Sequence, residues 1–201
     1  MGTYWYVASN GRCGTQYLAR LLGDVAPQMR VAHEPMPEAF QSRRVLRDPD
    51  TLYNVLGRSP QLQRHFLQQE NFVRKDGQVA NLGWPCFAWI SYFAERFGDA
   101  FRFVHLVRNP YANAASHATH FQMRNDATSL PLEKVAKVYA TDRRVAYPQF
   151  RDRYAGFGAF ERQLVQWLEL TEWVRSQQGL PGFRGVHLFE TVFATPDSIR
   201  D

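Results

Sequence analysis

Short apolar runs alternate with longer amphipathic stretches along this chain, and that alternation predicts strands followed by helices. Residues Tyr4–Ala8 are apolar throughout, as in a strand buried on both faces, whereas Leu18, Leu21 and Leu22 share one face of the helix that should follow. The predicted strands are Tyr4–Ala8, Met29–Ala32, Asn71–Arg74, Gln78–Asn81, Phe101–Val107 and Gly185–Phe189. The predicted helices are Thr15–Asp24, Glu38–Glu70 with breaks near Asp48 and Ser59, Pro85–Phe97, Tyr111–His120, Leu132–Val145 and Gly158–Gln178.

Strands that alternate with helices favour a mostly parallel sheet covered by helices on both faces. We therefore expect an α/β fold with three α/β/α layers around a mostly parallel central sheet. Ligands of such sheets bind at the carboxyl ends of the strands. Polar clusters stand at three of those ends, namely Ser9–Thr15, His33-Glu34 and Arg108-Asn109. The sequence thus predicts a site at one edge of the sheet.

Basic residues outnumber acidic ones by 24 to 19, which gives a formal net charge of +5 in a chain of 201 residues. Lys75, Lys134 and Lys137 are the only lysines, so the basic side is almost wholly arginine. The planar arginine fork grips phosphate and sulfate oxygens, which favours an anionic partner. Nucleic acid is not the expected anion, because the basic residues are scattered along the chain rather than massed on one segment.

Apolar runs in this sequence are too short for a membrane span. The longest, Tyr4–Ala8 and Cys86–Ile90, have five residues each, whereas a spanning helix needs about 20. Two cysteines are too few for a disulfide framework, and the chain opens without the pattern of a secretory signal. We therefore expect a cytoplasmic protein.

The loop after the first predicted strand has the composition of an anion site. Gly11 and Gly14 permit tight turns, and the helix that follows presents its free N–H groups to the loop. Arg12 adds a cation and Thr15 a hydroxyl. Known phosphate loops do not fit: a Walker A loop needs lysine after its second glycine, and the glycine spacing of a Rossmann loop is absent. The strand Phe101–Val107 ends in arginine instead of a magnesium-binding aspartate, which suits an anion held without a metal.

Two segments resemble those of the PAPS-dependent sulfotransferases, where PAPS is 3′-phosphoadenosine 5′-phosphosulfate. Residues 9–18, Ser-Asn-Gly-Arg-Cys-Gly-Thr-Gln-Tyr-Leu, resemble the family's 5′-phosphosulfate loop, commonly Gly-Arg-Ser-Gly-Thr-Thr or Pro-Lys-Ser-Gly-Thr-Thr. Arg108-Asn109-Pro110 follows a strand and has Ser116 eight residues beyond the arginine, as in the family's 3′-phosphate element. Cys13 stands where the family usually has serine and Gln16 where it has the second threonine, so the contact at position 13 is expected to be weaker or carried by backbone N–H alone.

The resemblance implies a P-loop NTPase-like fold in which residues 1–201 form one sulfotransferase-like domain, either shortened at its C-terminal end or from a minimal member. It implies PAPS as co-substrate, adenosine 3′,5′-bisphosphate as product and no metal. The residues implied to hold PAPS are Gly11, Arg12, Cys13, Gly14, Thr15, Gln16, Arg108 and Ser116.

Sulfuryl transfer requires a group that removes the proton from the acceptor hydroxyl or amine. Glu34 is the candidate base because it ends the second strand beside the loop, and His33 is the rival. Arg12 is the candidate for neutralising charge on the bridging oxygen. The acceptor is expected to be a small molecule, carbohydrate or lipid. A P-loop nucleotide or small-molecule kinase and a non-catalytic phosphonucleotide-binding module remain as alternatives, and the oligomeric state is open.

Three further groups are assigned structural roles. His117 and His120 are expected to lie on the surface or to cap a helix, since no third metal ligand is evident. The aromatic stretch Trp84–Phe97 is expected to pack against the sheet. Glu190, at the end of the last predicted strand, is expected to be structural and to brace the loop.

Overall fold

Parallel strands form the central sheet in the computed structural model, which describes residues 2–36, 38–120 and 136–195. The strands are β1 (Thr3–Ser9), β2 (Arg30–His33), β3 (Gln78–Leu82), β4 (Phe101–Val107) and β5 (Phe183–Leu188). Their order across the described sheet is β2-β3-β1-β4-β5. All four pairings are parallel. On one side of β1, β2 forms the edge of the described sheet and the later strand β3 is inserted between β2 and β1, whereas β4 and β5 extend the sheet in sequence order on the other side.

Helices flank this sheet, and the predicted α/β class is confirmed. They are α1 (Thr15–Val25), α2 (Ser42–Arg47), α3 (Thr51–Arg58), α4 (Pro60–Arg74), α5 (Ile90–Phe97), α6 (Pro110–Thr119), α7 (Ala159–Ser176) and α8 (Phe189–Val192). Two of the described helices begin with a side-chain cap followed by proline: Ser59 Oγ accepts from Leu62 N before Pro60 opens α4, and Asn109 Oδ1 accepts from Tyr111 N and Ala112 N at the start of α6. None of the described helices is both long and apolar enough to cross a bilayer.

The two faces of β1 bury different halves of the core. Tyr4 and Tyr6 point to one face, where Phe66 of α4 and Phe93 of α5 are fully buried with them. Val7 points to the other face and packs with Leu18 of α1. Because both faces are covered, β1 reads as a continuous apolar run in the sequence. The sheet therefore lies between two helical layers, as the alternation of strands and helices predicts.

Two predicted elements are wrong. Asn71–Arg74 is the last turn of α4 instead of a strand, because Val73 continues the buried helical stripe of Leu62, Phe66 and Gln69. The predicted helix Leu132–Val145 is not formed over 137–145, where the chain turns irregularly, and 132–135 lie outside the described residues.

Hydrogen bonds from the backbone to side chains explain why the predicted helix does not form over 137–145. Gln166 Oε1 accepts from the Val138 N–H over 2.5 Å, and Asp142 Oδ2 accepts from the Tyr139 N–H over 3.1 Å. These donors are thereby taken from the backbone carbonyls that a helix would need.

Candidate anion-binding and catalytic cleft

The carboxyl ends of four neighbouring strands meet along one edge of the sheet. The register pairs Val7 of β1 and His33 of β2 with Leu82 of β3, and Ser9 of β1 with Leu106 of β4. Above this edge lies a cleft of about 490 Å³. Eight of the predicted site residues line it: Arg12, Gly14, Thr15, Gln16, His33, Glu34, Arg108 and Ser116.

Residues 10–14, called the β1–α1 loop, turn sharply between β1 and α1. Gly11, Arg12 and Gly14 all have left-handed backbone angles, with φ of 73°, 51° and 71°. Asn113 of α6 donates to the Gly11 carbonyl over 2.7 Å. His117 donates from Nε2 to the Asn10 carbonyl over 2.9 Å. The loop is therefore fixed from behind by α6, and the first N–H groups of α1 remain available at the cleft.

Two of the predicted residues, Gly11 and Cys13, are not among those that line the cleft. The Cys13 side chain is fully buried and its Sγ donates to the Gly11 carbonyl over 3.0 Å. Burial raises the pKa of this thiol to about 12, so it stays protonated as a weak donor. A Cβ at Gly11 would come within 3.0 Å of both His117 and Trp84, so this position supplies room for the packing of α6. Both residues shape the loop from its inner side.

Arg12, Arg108 and Ser116 are brought together although they come from three elements. Arg12 donates from Nε to Ser116 Oγ over 3.1 Å. Arg108 donates to the Arg12 carbonyl over 2.8 Å, and its guanidinium lies 4.7 Å from the centre of the Phe189 ring. The Trp167 indole of α7 in turn donates to the Arg108 carbonyl over 3.0 Å. The two cations thus stand at one wall of the cleft with their orientation set by neighbours.

His33 and Glu34 line the same cleft at the end of β2. His33 Nε2 lies 3.0 Å from Thr15 Oγ1, within hydrogen-bond distance, and 3.8 Å from Glu34 Oε1. Burial raises the pKa of Glu34 to about 7, although the Trp84 backbone N–H and the Arg12 charge act in the opposite direction. Burial lowers the pKa of His33. Glu34 is therefore a carboxyl that exchanges its proton near neutrality.

Other lining residues were not predicted as parts of the site. Trp84, His117, His120, Tyr17 and Phe189 also face the cleft. The expectation that His117 lies on the surface or caps a helix is wrong, since it is 4% exposed and supports the loop. Burial lowers its pKa to about 3, so it is a neutral donor to the loop. The sequence did contain a signal for this position, because His117 directly follows Ser116, a predicted site residue on α6.

The expected packing of the aromatic stretch Trp84–Phe97 is confirmed. Trp84, Phe87, Trp89, Phe93 and Phe97 are buried in the core between sheet and helices.

Glu190 lies in α8, directly after β5, and its carboxylate accepts from the Asn109 N–H over 2.8 Å, so it braces the start of α6. Within the described ranges, no three His, Cys, Asp or Glu side chains are grouped so as to hold a metal ion.

The cleft combines anion binding with a proton acceptor. Arg12 and Arg108 supply positive charge, and the start of α1 supplies backbone donors and a positive helix end. Glu34 lines the same cavity as these groups. An anionic group held by the loop would therefore share one cavity with two cations and a carboxyl of raised pKa, which is suited to group transfer with removal of a proton.

Comparisons with known proteins give a fold relationship. Neither a family model nor a curated protein matches this sequence. Among solved structures, a sulfotransferase from Alicyclobacillus acidocaldarius is similar over 99% of this chain and 77% of its own, with a TM-score of 0.51 and 19% identity. At that identity the likeness establishes a sulfotransferase-like fold.

Proposed function

We propose that this protein transfers a sulfuryl group from PAPS to a hydroxyl or amine of an acceptor, with Glu34 as the general base. The observation that carries the proposal is the placement of the Glu34 carboxyl in the same cleft as Arg12, Arg108 and the N-terminus of α1. The sulfotransferase-like fold supports it, as do the two sequence segments that resemble the family's phosphate-binding elements.

The residues at the cleft fit a donor with anionic groups at two points. The β1–α1 loop offers backbone donors and Arg12 to a 5′-phosphosulfate, with Thr15 Oγ1 at the start of the helix. Arg108 and Ser116 offer a guanidinium and a hydroxyl to a 3′-phosphate. Cys13 contributes through the loop backbone, because its thiol is turned onto the Gly11 carbonyl. The proposal requires no metal, since fixed cations of the chain balance the donor's charge.

The reaction is an in-line substitution at sulfur. The acceptor oxygen or nitrogen forms a bond to sulfur while the bond between sulfur and the bridging oxygen breaks, and the electron pair leaves on adenosine 3′,5′-bisphosphate. The acceptor's proton passes to the Glu34 carboxylate. Arg12, which lines the cleft, is assigned the role of balancing the charge that develops on the bridging oxygen. Positioning of donor and acceptor supplies most of the acceleration.

Glu34 is favoured over His33 as the base. His33 Nε2 lies within hydrogen-bond distance of Thr15 Oγ1, which ties the imidazole to the start of α1. The carboxyl of Glu34 has a pKa of about 7 and so accepts a proton with useful strength at neutral pH. His33 is assigned the role of holding Thr15 and limiting the movement of Glu34.

Calorimetry separates this proposal from a kinase or an inert binding module. Adenosine 3′,5′-bisphosphate should bind without magnesium and much more tightly than ATP, because Arg108 and Ser116 have a 3′-phosphate to grip. Equal affinity for ATP, or binding that requires magnesium, would contradict the proposal and favour a kinase. Tight bisphosphate binding without any transfer from PAPS, in a screen over sugars, lipids, phenols, amines and small metabolites, would favour the module.

The acceptor class and the compartment are part of the proposal. A small-molecule, carbohydrate or lipid acceptor is proposed from the sulfotransferase-like fold. Cys13 and Cys86 are both free and buried, which supports a reducing cytoplasmic setting.

A further inference from the structure

Gly83 follows the last residue of β3 and lies directly beneath the Glu34 side chain. A Cβ built on Gly83 would overlap Glu34 Cγ and come within 3.1 Å of Oε1 and 3.2 Å of Cδ. Its φ of +136° is also one that residues with side chains rarely adopt. The carboxyl side chain therefore rests on a backbone surface that only glycine provides.

The backbones of both residues in this contact are held in place. The Gly83 N–H donates to the Val7 carbonyl over 3.2 Å, and the buried Tyr6 hydroxyl donates to the Gly83 carbonyl over 2.8 Å. On the other side, the Glu34 N–H donates to the Leu82 carbonyl over 2.8 Å. Both backbones are thus fastened to the sheet, so a side chain at position 83 would have to displace the Glu34 side chain.

The backbone of Glu34 is itself bent toward this contact. Its φ is +46°, a left-handed value that is uncommon for a residue other than glycine. Such strained residues persist where the surrounding structure holds them, and they cluster at functional sites. Here the strain directs the side chain back over the end of β3, between the sheet and the cleft.

We propose that Gly83 is a positioning residue whose bare Cα seats the Glu34 side chain and holds its carboxyl at the cleft. The catalytic consequence rests on the proposed function. A carboxyl pressed onto a rigid backbone has few conformations, so it is oriented toward the acceptor before the acceptor binds. Gly83 touches no reacting atom and acts through Glu34 alone.

The first test is the Gly83→Ala variant with a matched control. We expect kcat to fall by about 100-fold, as for other displacements of a catalytic group, while the affinity for adenosine 3′,5′-bisphosphate stays unchanged. Gly185→Ala is the control, because Gly185 has a similar φ of +123° and its Cβ would meet only the His187 side chain at 3.6 Å. Equal losses of kcat in the two variants would overturn the proposal.

A second test does not depend on catalysis. Glu34→Ala removes the three atoms nearest to a Cβ at position 83, namely Glu34 Cγ, Oε1 and Cδ. Gly83→Ala should therefore lower the unfolding midpoint clearly in the wild-type chain and far less in the Glu34→Ala chain. If the single variant does not fold, the double variant should. An equal loss of unfolding midpoint in both backgrounds, or a double variant that also fails to fold, would overturn the proposal that Gly83 positions Glu34.

The titration of Glu34 separates this inference from the proposed function. Carboxyl NMR of the wild-type chain should place the Glu34 midpoint near its buried value of about 7, and Gly83→Ala should move it toward the ordinary range as the carboxyl is pushed toward water. Other charged or titratable groups also act on Glu34, namely Arg12, His33, Tyr6 and Cys86. They are the same in the wild-type chain and in Gly83→Ala, so they do not account for a difference between the two. Absence of sulfate transfer by the wild-type chain would refute the proposed function. The shift in the Glu34 titration midpoint and the stability comparison would still confirm or refute the positioning role of Gly83.

Discussion

Arg12 donates a hydrogen bond from Nε to Ser116 Oγ over 3.1 Å, so the cation of the β1–α1 loop is held against α6. Its carbonyl accepts from Arg108, 96 residues away in the chain, over 2.8 Å. The two segments that resemble separate phosphate-binding elements are therefore joined directly in this fold. A change in one of them should be felt at the other.

Ser116→Ala should weaken the binding of adenosine 3′,5′-bisphosphate. The variant removes a proposed ligand of the 3′-phosphate and also releases the Arg12 guanidinium from its fixed position. Hydrogen bonds to charged groups contribute about 1.5–3 kcal/mol, so the loss of affinity should be about 10- to 100-fold. Calorimetry would measure it.

Thr119→Ala is the matched control for that experiment. Thr119 lies on the same helix, but its hydroxyl donates to the Ala115 carbonyl of that helix. Its removal should leave the affinity unchanged. A Ser116→Ala variant with wild-type affinity would remove Ser116 from the proposed site.

Arg108→Ala should abolish the preference for a 3′-phosphate. The variant is expected to bind adenosine 3′,5′-bisphosphate about as weakly as adenosine 5′-phosphate, because the guanidinium that distinguishes the two is gone. Arg108→Lys should retain little of this preference for a 3′-phosphate, since an ammonium group does not reproduce the planar guanidinium fork. Arg184→Ala is a suitable control, because Arg184 is exposed on β5 and donates to the Pro181 carbonyl. A retained preference in Arg108→Ala would assign the 3′-phosphate to another residue.

Glu34→Gln should separate catalysis from binding. The amide keeps the shape of the side chain but cannot accept the acceptor's proton, so kcat should fall by about 100- to 10,000-fold. Binding of adenosine 3′,5′-bisphosphate should change little, because the proposed contacts with the phosphates come from other residues. His33→Gln should cost less than Glu34→Gln. The reverse order would make His33 the base.

Much of the site was predictable because it follows local rules. Gly11 and Gly14 predict a tight turn, and the segments before Arg12, Glu34 and Arg108 are rich enough in apolar residues to predict strands, with Tyr4–Ala8 apolar throughout. Parallel strands carry their carboxyl ends to one edge, so residues distant in the chain meet there. The sulfotransferase-like fold brings these three side chains to one cleft.

The rest depends on contacts that no local pattern encodes. His117 supports the Asn10 carbonyl across 107 positions. Cys13 turns inward because the left-handed residues on either side of it leave its side chain facing the core. Gly83 looks like an ordinary turn glycine until Glu34 is placed above it. In each case the residue's role is set by a neighbour from another element.

The pH profile of the reaction should follow Glu34. Burial raises the pKa of its carboxyl to about 7, and the base works in its deprotonated form, so kcat/KM should rise with pH through about 7 and then level off. Arg12→Gln should move the midpoint upward, because removal of a nearby cation makes the carboxyl harder to ionise. A midpoint below 6.5 that survives Glu34→Gln would point to His33, whose pKa burial lowers.

The same shift predicts a cost in stability. The folded state holds the Glu34 proton up to pH about 7, whereas the unfolded chain releases it near the ordinary value of 4.5. The stabilising contribution of protonated Glu34 is therefore complete below pH 4.5 and is lost as pH rises through about 7. Between pH 5 and pH 8, wild type should lose about 2–3 kcal/mol of unfolding free energy relative to Glu34→Gln. Urea unfolding at the two pH values would measure this difference.

Glu172→Gln provides a control of opposite sign. The hydrogen bond from Arg175 lowers the pKa of the Glu172 carboxyl, so its contribution is present at neutral pH and is lost as pH falls through the lowered pKa. Because this pair is exposed to solvent, the effect should be small. If Glu34→Gln showed the same small, opposite-signed change, Glu34 would not be buried as a proton acceptor. If wild type loses unfolding free energy with rising pH relative to Glu34→Gln but not relative to Glu172→Gln, the raised pKa of the Glu34 carboxyl at the cleft lowers the stability of the folded chain.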